Sequence, residues 1–294
     1  MSGSSRRRST SEIAGTGGLR GLGAPATPMQ EIPRLGFGTY ENDDPEQCAE
    51  SVRTALEAGY RHVDTAQSYG NESAVGDGIA ASDVDAADVF VATKLATENL
   101  AYEDAVETAR ESVERLGVDT IDLLYVHWPI NSYDPEGTIE ALNDLYEDGV
   151  IDAVGLSNFR VDQLNDALDR LEPRLAAHQV ECHPMLPQDD LRSHAVEHEY
   201  ALVAYCPIAR NQVADVETIQ EIAEKHDATP AQVSLAWLLA KENVVAIPKA
   251  TGESHIRENW EARKLDLDDE DVAAIDGIDE RHRIVDFDAA PWNQ

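Results

Sequence analysis

Short apolar runs alternate with longer amphipathic stretches along most of the chain. The apolar runs are four to seven residues long and rich in aliphatic side chains, a pattern that favours buried strands. We predict strands at Leu35–Gly38, His62–Thr65, Val89–Lys94, Ile121–His127, Ala153–Ser157, Ala177–Cys182, Leu202–Cys206 and Val244–Pro248. The amphipathic stretches predict helices at Pro45–Ala58, Tyr102–Leu116, Ile139–Glu147, Val161–Leu171, Val216–His226 and Pro230–Lys241.

The order of these elements indicates the fold. Pro45 stands in a first helical turn with Gly59 just past the end, and Gly117 likewise follows the helix that begins at Tyr102. Strand–helix units that repeat without a domain break predict an α/β fold, a single-domain (β/α)₈ TIM barrel. A doubly wound sheet is the alternative, but no G-x-G-x-x-G follows any early strand. The barrel is the better interpretation.

The first 28 residues differ in composition from the rest. They are rich in Ser, Gly and Arg and cannot bury a core, so we predict a disordered tail at 1–28 and the barrel at 29–294. Arg6, Arg7 and Arg8 invite a twin-arginine interpretation, but no apolar segment follows them, which argues against export. Met29 is an alternative initiator, in which case the tail would not exist in the protein.

An excess of acidic residues limits the expected partners. The chain has 57 Asp and Glu against 23 Lys and Arg, a net charge of -34, so nucleic acid is not expected to bind. The five lysines are Lys94, Lys225, Lys241, Lys249 and Lys264. An acidic, lysine-poor surface stays hydrated where salt screens its self-repulsion, which we interpret as adaptation to a high-salt cytoplasm. A merely acidic mesophilic enzyme is the alternative.

The cysteines and the hydropathy agree with a cytoplasmic location. Cys48, Cys182 and Cys206 are odd in number and lack ligand spacing, so neither a disulfide framework nor a zinc site is implied. No apolar stretch approaches the ~18 residues of a membrane span, so no membrane partner is expected. We expect a cytoplasmic monomer.

Four polar residues, Asp64, Tyr69, Lys94 and His127, lie at or just after the carboxyl ends of successive predicted strands. Active sites of (β/α)₈ barrels lie at this end. A tyrosine has a pKa near ~10 in water; a buried ammonium beside it would lower that pKa, and a carboxylate would hold the ammonium in place. The histidine could orient a carbonyl oxygen toward the phenol, so the set suits reduction of a carbonyl. Taken singly, these residues could also be a structural ion pair, a loop aromatic and a core histidine.

Several motifs, in one order, resemble those of the aldo-keto reductases. They are LGFGTY, the run GYRHVDTAQSYGNE, ATK, VHWP, GLSNF, HQVECHP, AYCPI, and IPKA with EN beyond it. The likeness extends from about Ile32 to Asn259, and the chain is similar to the prokaryotic, 2,5-diketogluconate-reductase-like branch, from a haloarchaeon-like, salt-adapted source. The resemblance implies NAD(P)H-dependent reduction of a small aldehyde, keto sugar or keto acid. Tyr69 would be the general acid, Lys94 and Asp64 its tuning pair, and His127 the group that orients the carbonyl.

The resemblance also implies a cofactor, NADPH or NADH, bound without a Rossmann unit. Ser157, Asn158 and Gln179 would hydrogen-bond the nicotinamide carboxamide, and Tyr205 would stack under its ring. The implied cofactor set is Thr39, Tyr40, Ser157, Asn158, Gln179, Tyr205, Cys206, Ile208, Arg210, Lys249, Ala250, His255, Glu258 and Asn259. The implied substrate set is Tyr40, His127, Trp128 and Trp292, although Trp292 could equally pack on the barrel rim.

The chain departs from the family's pattern at the adenosine end. The usual IPKS carries a Lys and a Ser for the 2′-phosphate, with an Arg six residues after the Lys and Glu-Asn shortly beyond. Here Lys249, Glu258 and Asn259 remain, whereas Ala250 replaces the Ser and His255 the Arg. Neutral histidine binds a phosphate less strongly than guanidinium does. We therefore predict a reduced preference for NADPH and real use of NADH.

Two other functions fit parts of the chain. A non-catalytic barrel of the same lineage could sense a nucleotide as a subunit of another protein. A divalent-metal hydrolase could use His62, His127 and His178, but no carboxylate stands at the eighth strand end, and we predict no metal. Three further histidines, His183, His194 and His198, are predicted to lie in a loop and on a solvated helix face.

Overall fold

Eight parallel strands follow one another in a single sheet, each hydrogen-bonded to the next in chain order. The computed structural model describes residues 31–294, and the predicted tail at 1–28 lies outside the described residues. The strands are β1 Phe37–Gly38, β2 His62–Asp64, β3 Phe90–Leu95, β4 Leu123–Val126, β5 Val154–Ser157, β6 Leu175–Glu181, β7 Ala201–Tyr205 and β8 Val244–Ala246. Every predicted strand is present, with ends that differ by at most two residues from the prediction.

The first and last strands meet, which closes the sheet. The backbone N–H of Gly36 donates to the carbonyl of Ala246 at 2.9 Å, and the N–H of Gly38 donates to the carbonyl of Pro248 at 3.0 Å. In return, the N–H of Ala246 donates to the carbonyl of Arg34 at 2.9 Å. A closed ring of eight parallel strands with helices between them confirms the predicted (β/α)₈ barrel.

Helices connect the strands and cover the outside of the barrel. In the part of the chain that the structure describes they are α1 Pro45–Ala58, α2 Glu72–Ala80, α3 Tyr102–Leu116, α4 Pro135–Glu147, α5 Val161–Leu168, α6 Asp189–Glu197, α7 Glu217–Lys225, α8 Pro230–Leu239, α9 Glu253–Glu261 and α10 Asp269–Asp276. The prediction missed the start of α4, where the Asp134 side chain accepts a hydrogen bond from the Gly137 N–H at 3.0 Å.

Three short helices, α2, α9 and α10, were not predicted, and α6 was predicted without bounds, as the helix that carries His194. The sequence of α2 contains Gly76 and Gly78, which normally weaken a helix. Both are required here by close packing: a Cβ on Gly76 would lie 2.5 Å from the carbonyl oxygen of Leu116, and one on Gly78 would lie 2.6 Å from that of Ala49. Tertiary contact therefore overrides local propensity in α2.

Alternate residues of each strand point into the barrel, and this alternation brings the polar side chains together. In β3 the inward series is Phe90, Ala92 and Lys94, so an apolar filling at the bottom gives way to a charged group at the carboxyl end. The Tyr125 ring fills space beside Gly155, where a Cβ would lie 2.3 Å from the ring. A glycine on β5 thus makes room for a large side chain from β4.

Candidate active site

The carboxyl end of the barrel gathers the four residues predicted to do chemistry. Asp64 is the last residue of β2, Lys94 lies near the end of β3, and His127 directly follows β4. Tyr69 ends a 3₁₀ turn, Gln67–Tyr69, in the loop after β2. The structure therefore places all four at one end, as their positions in the sequence predict.

Lys94 is the centre of the group. Its Nζ lies 2.5 Å from Oδ1 of Asp64, 2.6 Å from the backbone carbonyl of Thr65 and 3.4 Å from the hydroxyl of Tyr69. The other carboxylate oxygen of Asp64 accepts a hydrogen bond from Nε2 of Gln179 at 2.7 Å. Burial lowers the pKa of Lys94, and the neighbouring carboxylate opposes that change. Three oxygen atoms, from Asp64, Thr65 and Tyr69, thus surround the ammonium and fix its orientation.

Tyr69 differs from the prediction in its acidity. Burial raises the pKa of its phenol well above the ordinary range, and the negative charge of Asp64 adds to the rise. The ammonium of Lys94, 3.4 Å from the hydroxyl, was expected to lower this pKa, but the effect of burial dominates. The phenol is therefore protonated at neutral pH. A phenol is still a stronger acid than an alcohol, so it can give its proton to an alkoxide.

Residues on either side of Tyr69 fix the turn that carries it, and sequence reasoning did not identify them. The Gln67 side chain accepts a hydrogen bond from the Ala96 N–H at 2.9 Å and donates to the carbonyl of Thr108 at 3.1 Å. Asn71 accepts from the Thr65 hydroxyl at 2.8 Å and donates to the carbonyl of Thr39 at 2.9 Å. These bonds connect the turn to β3, α3 and the loop after β1.

His127 is neutral and held at both its backbone and its ring. Burial lowers its pKa well below the ordinary value, and the charge of Lys94 lowers it further. Its backbone carbonyl accepts a hydrogen bond from Nδ2 of Asn158 at 3.0 Å, and its ring Nδ1 lies 3.2 Å from the hydroxyl of Ser68. The ring centroid is 5.7 Å from that of Tyr69, edge to face. The two side chains therefore face the same small volume.

A cavity of about 570 Å³ opens above these residues, a size usual for small-ligand sites. Its walls combine aromatic side chains, amides, cations and acids. The lining residues are Gly38, Thr39, Tyr40, Glu41, Asp64, Ser68, Tyr69, His127, Trp128, Asn158, Gln179, Tyr205, Cys206, Pro207, Ile208, Arg210, Ile247, Lys249, Ile284, Val285, Asp286 and Phe287.

The amides expected to bind a carboxamide lie beside Tyr205. The Tyr205 hydroxyl donates to Oδ1 of Asn158 at 2.9 Å, which fixes the ring in the cavity wall. Both donors of the Asn158 amide are used within the protein, on His127 and on Ser157, and Gln179 donates to Asp64. Asn158 therefore keeps only its oxygen as an acceptor, whereas Gln179 keeps its oxygen and one N–H, so both amides offer an acceptor to an N–H₂ group. Ser157 is buried and does not line the cavity, and its hydroxyl donates to the backbone carbonyl of Gln179 at 2.9 Å.

The rim of the cavity carries a cross-loop ion pair. Arg210 lies 3.5 Å from Glu41, and its guanidinium is 6.0 Å from the centroid of the Tyr40 ring. Of the other implied cofactor residues, Thr39, Cys206 and Ile208 line the cavity. Burial raises the pKa of Cys206 to about 11, so its side chain is a neutral thiol.

The implied adenosine-end residues are separated from this cavity, with one exception. Lys249 lines it, whereas Ala250, His255, Glu258 and Asn259 do not. His255 is exposed on α9, Asn259 is buried, and the Glu258 carboxylate accepts the hydroxyl of Thr229 at 2.9 Å. Arg257, the nearest guanidinium in the sequence, donates to Glu253 at 2.8 Å on the surface of α9, so it does not replace the missing arginine.

The structure brings only one of the two tryptophans of the implied substrate set to the cavity wall. Trp128 lines it, but Trp292 does not; its ring lies 5.5 Å from that of Trp128, and its Nε1 donates to Asp286 at 3.0 Å. Trp292 therefore packs on the barrel rim. Phe287, which was not predicted, lines the cavity instead, edge to face with Trp128 at 4.9 Å.

A buried carboxylate positions this C-terminal wall. Glu181, the last residue of β6, accepts the backbone N–H groups of Ile284 at 2.6 Å and Val285 at 2.8 Å. It also lies 3.0 Å from the ring Nε2 of the buried His183. Glu181 belongs to the HQVECHP motif, but its partners are more than 100 residues away, and no local signal marks them.

The histidines considered as metal ligands do not converge. His62 lies inside the barrel against Phe90, while His178 is on the other face of β6, where it accepts the N–H of Phe159 at 3.2 Å. His183 lies in the loop between β6 and α6, as predicted, and is buried beside Glu181. One expectation was wrong: His194 on α6 is buried, with its Nδ1 2.7 Å from the Tyr200 hydroxyl. Within residues 31–294, no group of three or more His, Cys, Asp and Glu could hold a metal ion.

The family model for the Aldo/keto reductase family matches residues 34–280, most of the chain. The chain belongs to this family. A glyoxal reductase from Bacillus subtilis (strain 168) is 38% identical over 255 residues, 86% of this chain and 91% of the relative. A 9,11-endoperoxide prostaglandin H2 reductase from Trypanosoma cruzi is 37% identical over 256 residues, 86% of this chain and 90% of the relative.

Solved structures of the family agree in fold. A 2,5-diketo-D-gluconic acid reductase B-like protein is 34% identical, with a TM-score of 0.84 over 88% of this chain and 92% of its own. An aldo-keto reductase from a Medee basin deep-sea metagenome library is also 34% identical, with a TM-score of 0.84 over 87% and 95% of the two chains. The protein is thus an oxidoreductase, and its relatives support reduction of a carbonyl group.

None of the described helices combines the length and the apolar character needed to cross a membrane.

Proposed function

We propose that the protein reduces a small aldehyde or ketone to the alcohol with hydride from NADPH or NADH. The observation that carries the proposal is the position of the Tyr69 hydroxyl, 3.4 Å from the ammonium of Lys94, in a cavity that His127 also lines. The resemblance implies small aldehydes, keto sugars and keto acids as substrates, and all three carry the carbonyl group that would be reduced. Membership of the family supports the class of reaction.

The roles of the four polar residues follow from their protonation states. Neutral His127 donates a hydrogen bond to the carbonyl oxygen and turns it toward Tyr69. As the carbonyl carbon is reduced, negative charge develops on that oxygen, and Tyr69 transfers its proton there. The buried ammonium of Lys94 then stabilises the phenolate, and Asp64 keeps Lys94 in place. Each step uses a group already directed at the same volume.

The cavity walls have the chemistry that a nicotinamide nucleotide requires. When bound, the reduced nicotinamide supplies the hydride. Acceptor atoms on Asn158 and Gln179 suit the carboxamide N–H₂, and Tyr205 offers a flat face for the ring. Arg210 and Lys249 line the same cavity and supply positive charge for phosphate groups. Thr39, Tyr40, Cys206 and Ile208 complete this part of the wall.

Cofactor choice depends on the adenosine end. His255 and Ala250 provide neither a fixed cation nor a hydroxyl for a 2′-phosphate, and Arg257 is engaged with Glu253. We therefore propose that the protein uses NADH. We also propose that its preference for NADPH is weaker than it would be with an arginine at position 255. Among the residues implied for the adenosine end, Lys249 carries a positive charge and lines the cavity.

We further propose that the protein acts as a monomer in a high-salt cytoplasm. The net charge of -34 favours hydration where salt screens repulsion. The three cysteines are free, which agrees with a reducing compartment. Light scattering in molar salt tests the monomer: a mass near 32.2 kDa supports it, and a multiple of that mass contradicts it.

The test of function is the rate of cofactor oxidation in molar salt. A short-chain aldehyde, a keto sugar and a keto acid should each be offered with NADPH and with NADH. Turnover of any carbonyl that is unaffected by a chelator supports the reductase. Absence of turnover, together with quenching of tryptophan fluorescence by the cofactor, would instead indicate the nucleotide-sensing barrel.

A further inference from the structure

Ser68 makes a contact with the active site that the reaction as described does not use. Its hydroxyl lies 3.2 Å from Nδ1 of His127, and both residues line the cavity. Ser68 directly precedes Tyr69 in the 3₁₀ turn, so the residue that touches the histidine ring and the acid itself share one short rigid segment. This turn is fixed through Gln67, whose side chain bonds to β3 and α3.

The contact bears on which ring nitrogen of His127 carries the proton. A neutral imidazole has one N–H donor and one bare nitrogen acceptor, and a hydroxyl can serve either. If Nδ1 accepts the Ser68 hydroxyl hydrogen, the proton must be on Nε2, which leaves an N–H donor for a carbonyl oxygen. In the opposite tautomer, a bare Nε2 would repel the lone pairs of that oxygen. Reduction of a carbonyl needs the first arrangement.

We propose that Ser68 is a positioning residue that holds His127 in the Nε2–H tautomer. This inference rests on the proposed carbonyl reduction, because the tautomer matters only if His127 donates to a carbonyl oxygen. The backbone of His127 is fixed separately by Asn158, at 3.0 Å, so Ser68 is left to control the ring and not the chain. Ser68 is an exposed residue, and its substitution is not expected to disturb folding.

Ring ¹⁵N NMR of histidine-labelled protein tests the tautomer without any turnover. His127 is assigned as the signal that disappears in His127→Gln. The expected spectrum is Nε2–H in the wild type, a shift toward Nδ1–H or a mixture in Ser68→Ala, and the wild-type pattern in Ser68→Thr, which keeps a hydroxyl. An unchanged tautomer in Ser68→Ala would overturn the proposal.

Kinetics supply the second readout. Loss of one hydrogen bond of this kind is worth about 1 kcal/mol, so kcat for the carbonyl should fall about 5-fold in Ser68→Ala, with KM for the cofactor unchanged. Ser68→Thr should recover most of the rate. Equal loss in both variants would contradict the role of the hydroxyl. If the wild type reduces no carbonyl, the proposed function fails, while the spectra still decide the tautomer.

Discussion

The ammonium of Lys94 and the carboxylate of Asp64 form an ion pair of 2.5 Å whose side chains are 0% and 3% exposed. A buried pair of this kind contributes little net stability, because desolvation offsets the attraction. Its value here lies in position: the Tyr69 hydroxyl is 3.4 Å from the same ammonium. The pair therefore places a positive charge next to the oxygen that must lose a proton.

Removal of one member of the pair should destabilise the folded protein far more than removal of both. Asp64→Asn leaves a buried ammonium without a counter-charge and should lower the free energy of unfolding by about 3–5 kcal/mol. The double variant Asp64→Asn with Lys94→Met should recover a large part of that loss, while reductase activity is lost in both. Chemical denaturation measures the effect. A double variant less stable than Asp64→Asn would show that the lysine is stabilising by itself.

Stability should fall on acidification because buried histidines must remain neutral. Burial lowers the pKa of His178 from 6.5 to about 3. The unfolded chain binds this proton below about pH 6.5, so the stabilisation is complete above that pH and is lost progressively as pH falls toward the folded value. Each unit below 6.5 should cost about 1.4 kcal/mol for this group.

Denaturation of wild type and His178→Gln at pH 7.5 and pH 5.5 tests this effect. Glutamine keeps an acceptor for the Phe159 N–H but does not titrate. The variant should therefore lose less stability between the two pH values than the wild type does. Equal losses in the two proteins would contradict a depressed pKa at His178.

Cofactor preference should respond to a single residue on α9. His255→Arg adds a guanidinium where a 2′-phosphate is expected, and should raise kcat/KM for NADPH relative to NADH about tenfold. Ser254→Arg, the exposed neighbour on the same helix, adds the same charge in another direction and serves as the control. If both variants shift the ratio equally, the effect is one of net charge. If neither variant shifts the ratio, the 2′-phosphate of the cofactor does not bind near position 255.

The Glu181 carboxylate should control the fit of the carbonyl substrate. Glu181→Gln replaces one of its two acceptor oxygens with an N–H₂ group, which opposes the backbone N–H of Ile284 or Val285. An unmatched buried donor costs about 1–3 kcal/mol, so KM for the carbonyl should rise about 5-fold or more, with cofactor affinity less affected. Glu197→Gln, on the exposed face of α6, is the control. Unchanged amide exchange at positions 284 and 285 would contradict this prediction.

The barrel and the four polar residues could be predicted because local patterns specify them. Strand ends are marked by apolar runs, and alternation directs Lys94 into the barrel. The wall formed by Phe287 could not be predicted, because its segment has no regular pattern and depends on Glu181, about 100 residues earlier in the chain. Likewise, nothing local to β5 shows that Gly155 is there to accommodate Tyr125.

The pKa of Tyr69 was mispredicted for a similar reason. A lysine beside a tyrosine favours the phenolate, but burial of the phenol disfavours it, and here burial dominates. The sequence shows that Asp64 and Lys94 are both present, but the net effect depends on distances of 2.5 Å and 3.4 Å and on the burial of the phenol.

Tyr69→Phe is the substitution that tests the central claim most directly, because it removes one hydroxyl and keeps the ring. Single-turnover oxidation of bound cofactor by an aldehyde should be slowed by at least about 100-fold, while cofactor affinity stays within error of the wild type. Tyr102→Phe, an exposed hydroxyl on α3, should leave the rate unchanged. A Tyr69→Phe enzyme that keeps most of its single-turnover rate would show that the proton comes from another group.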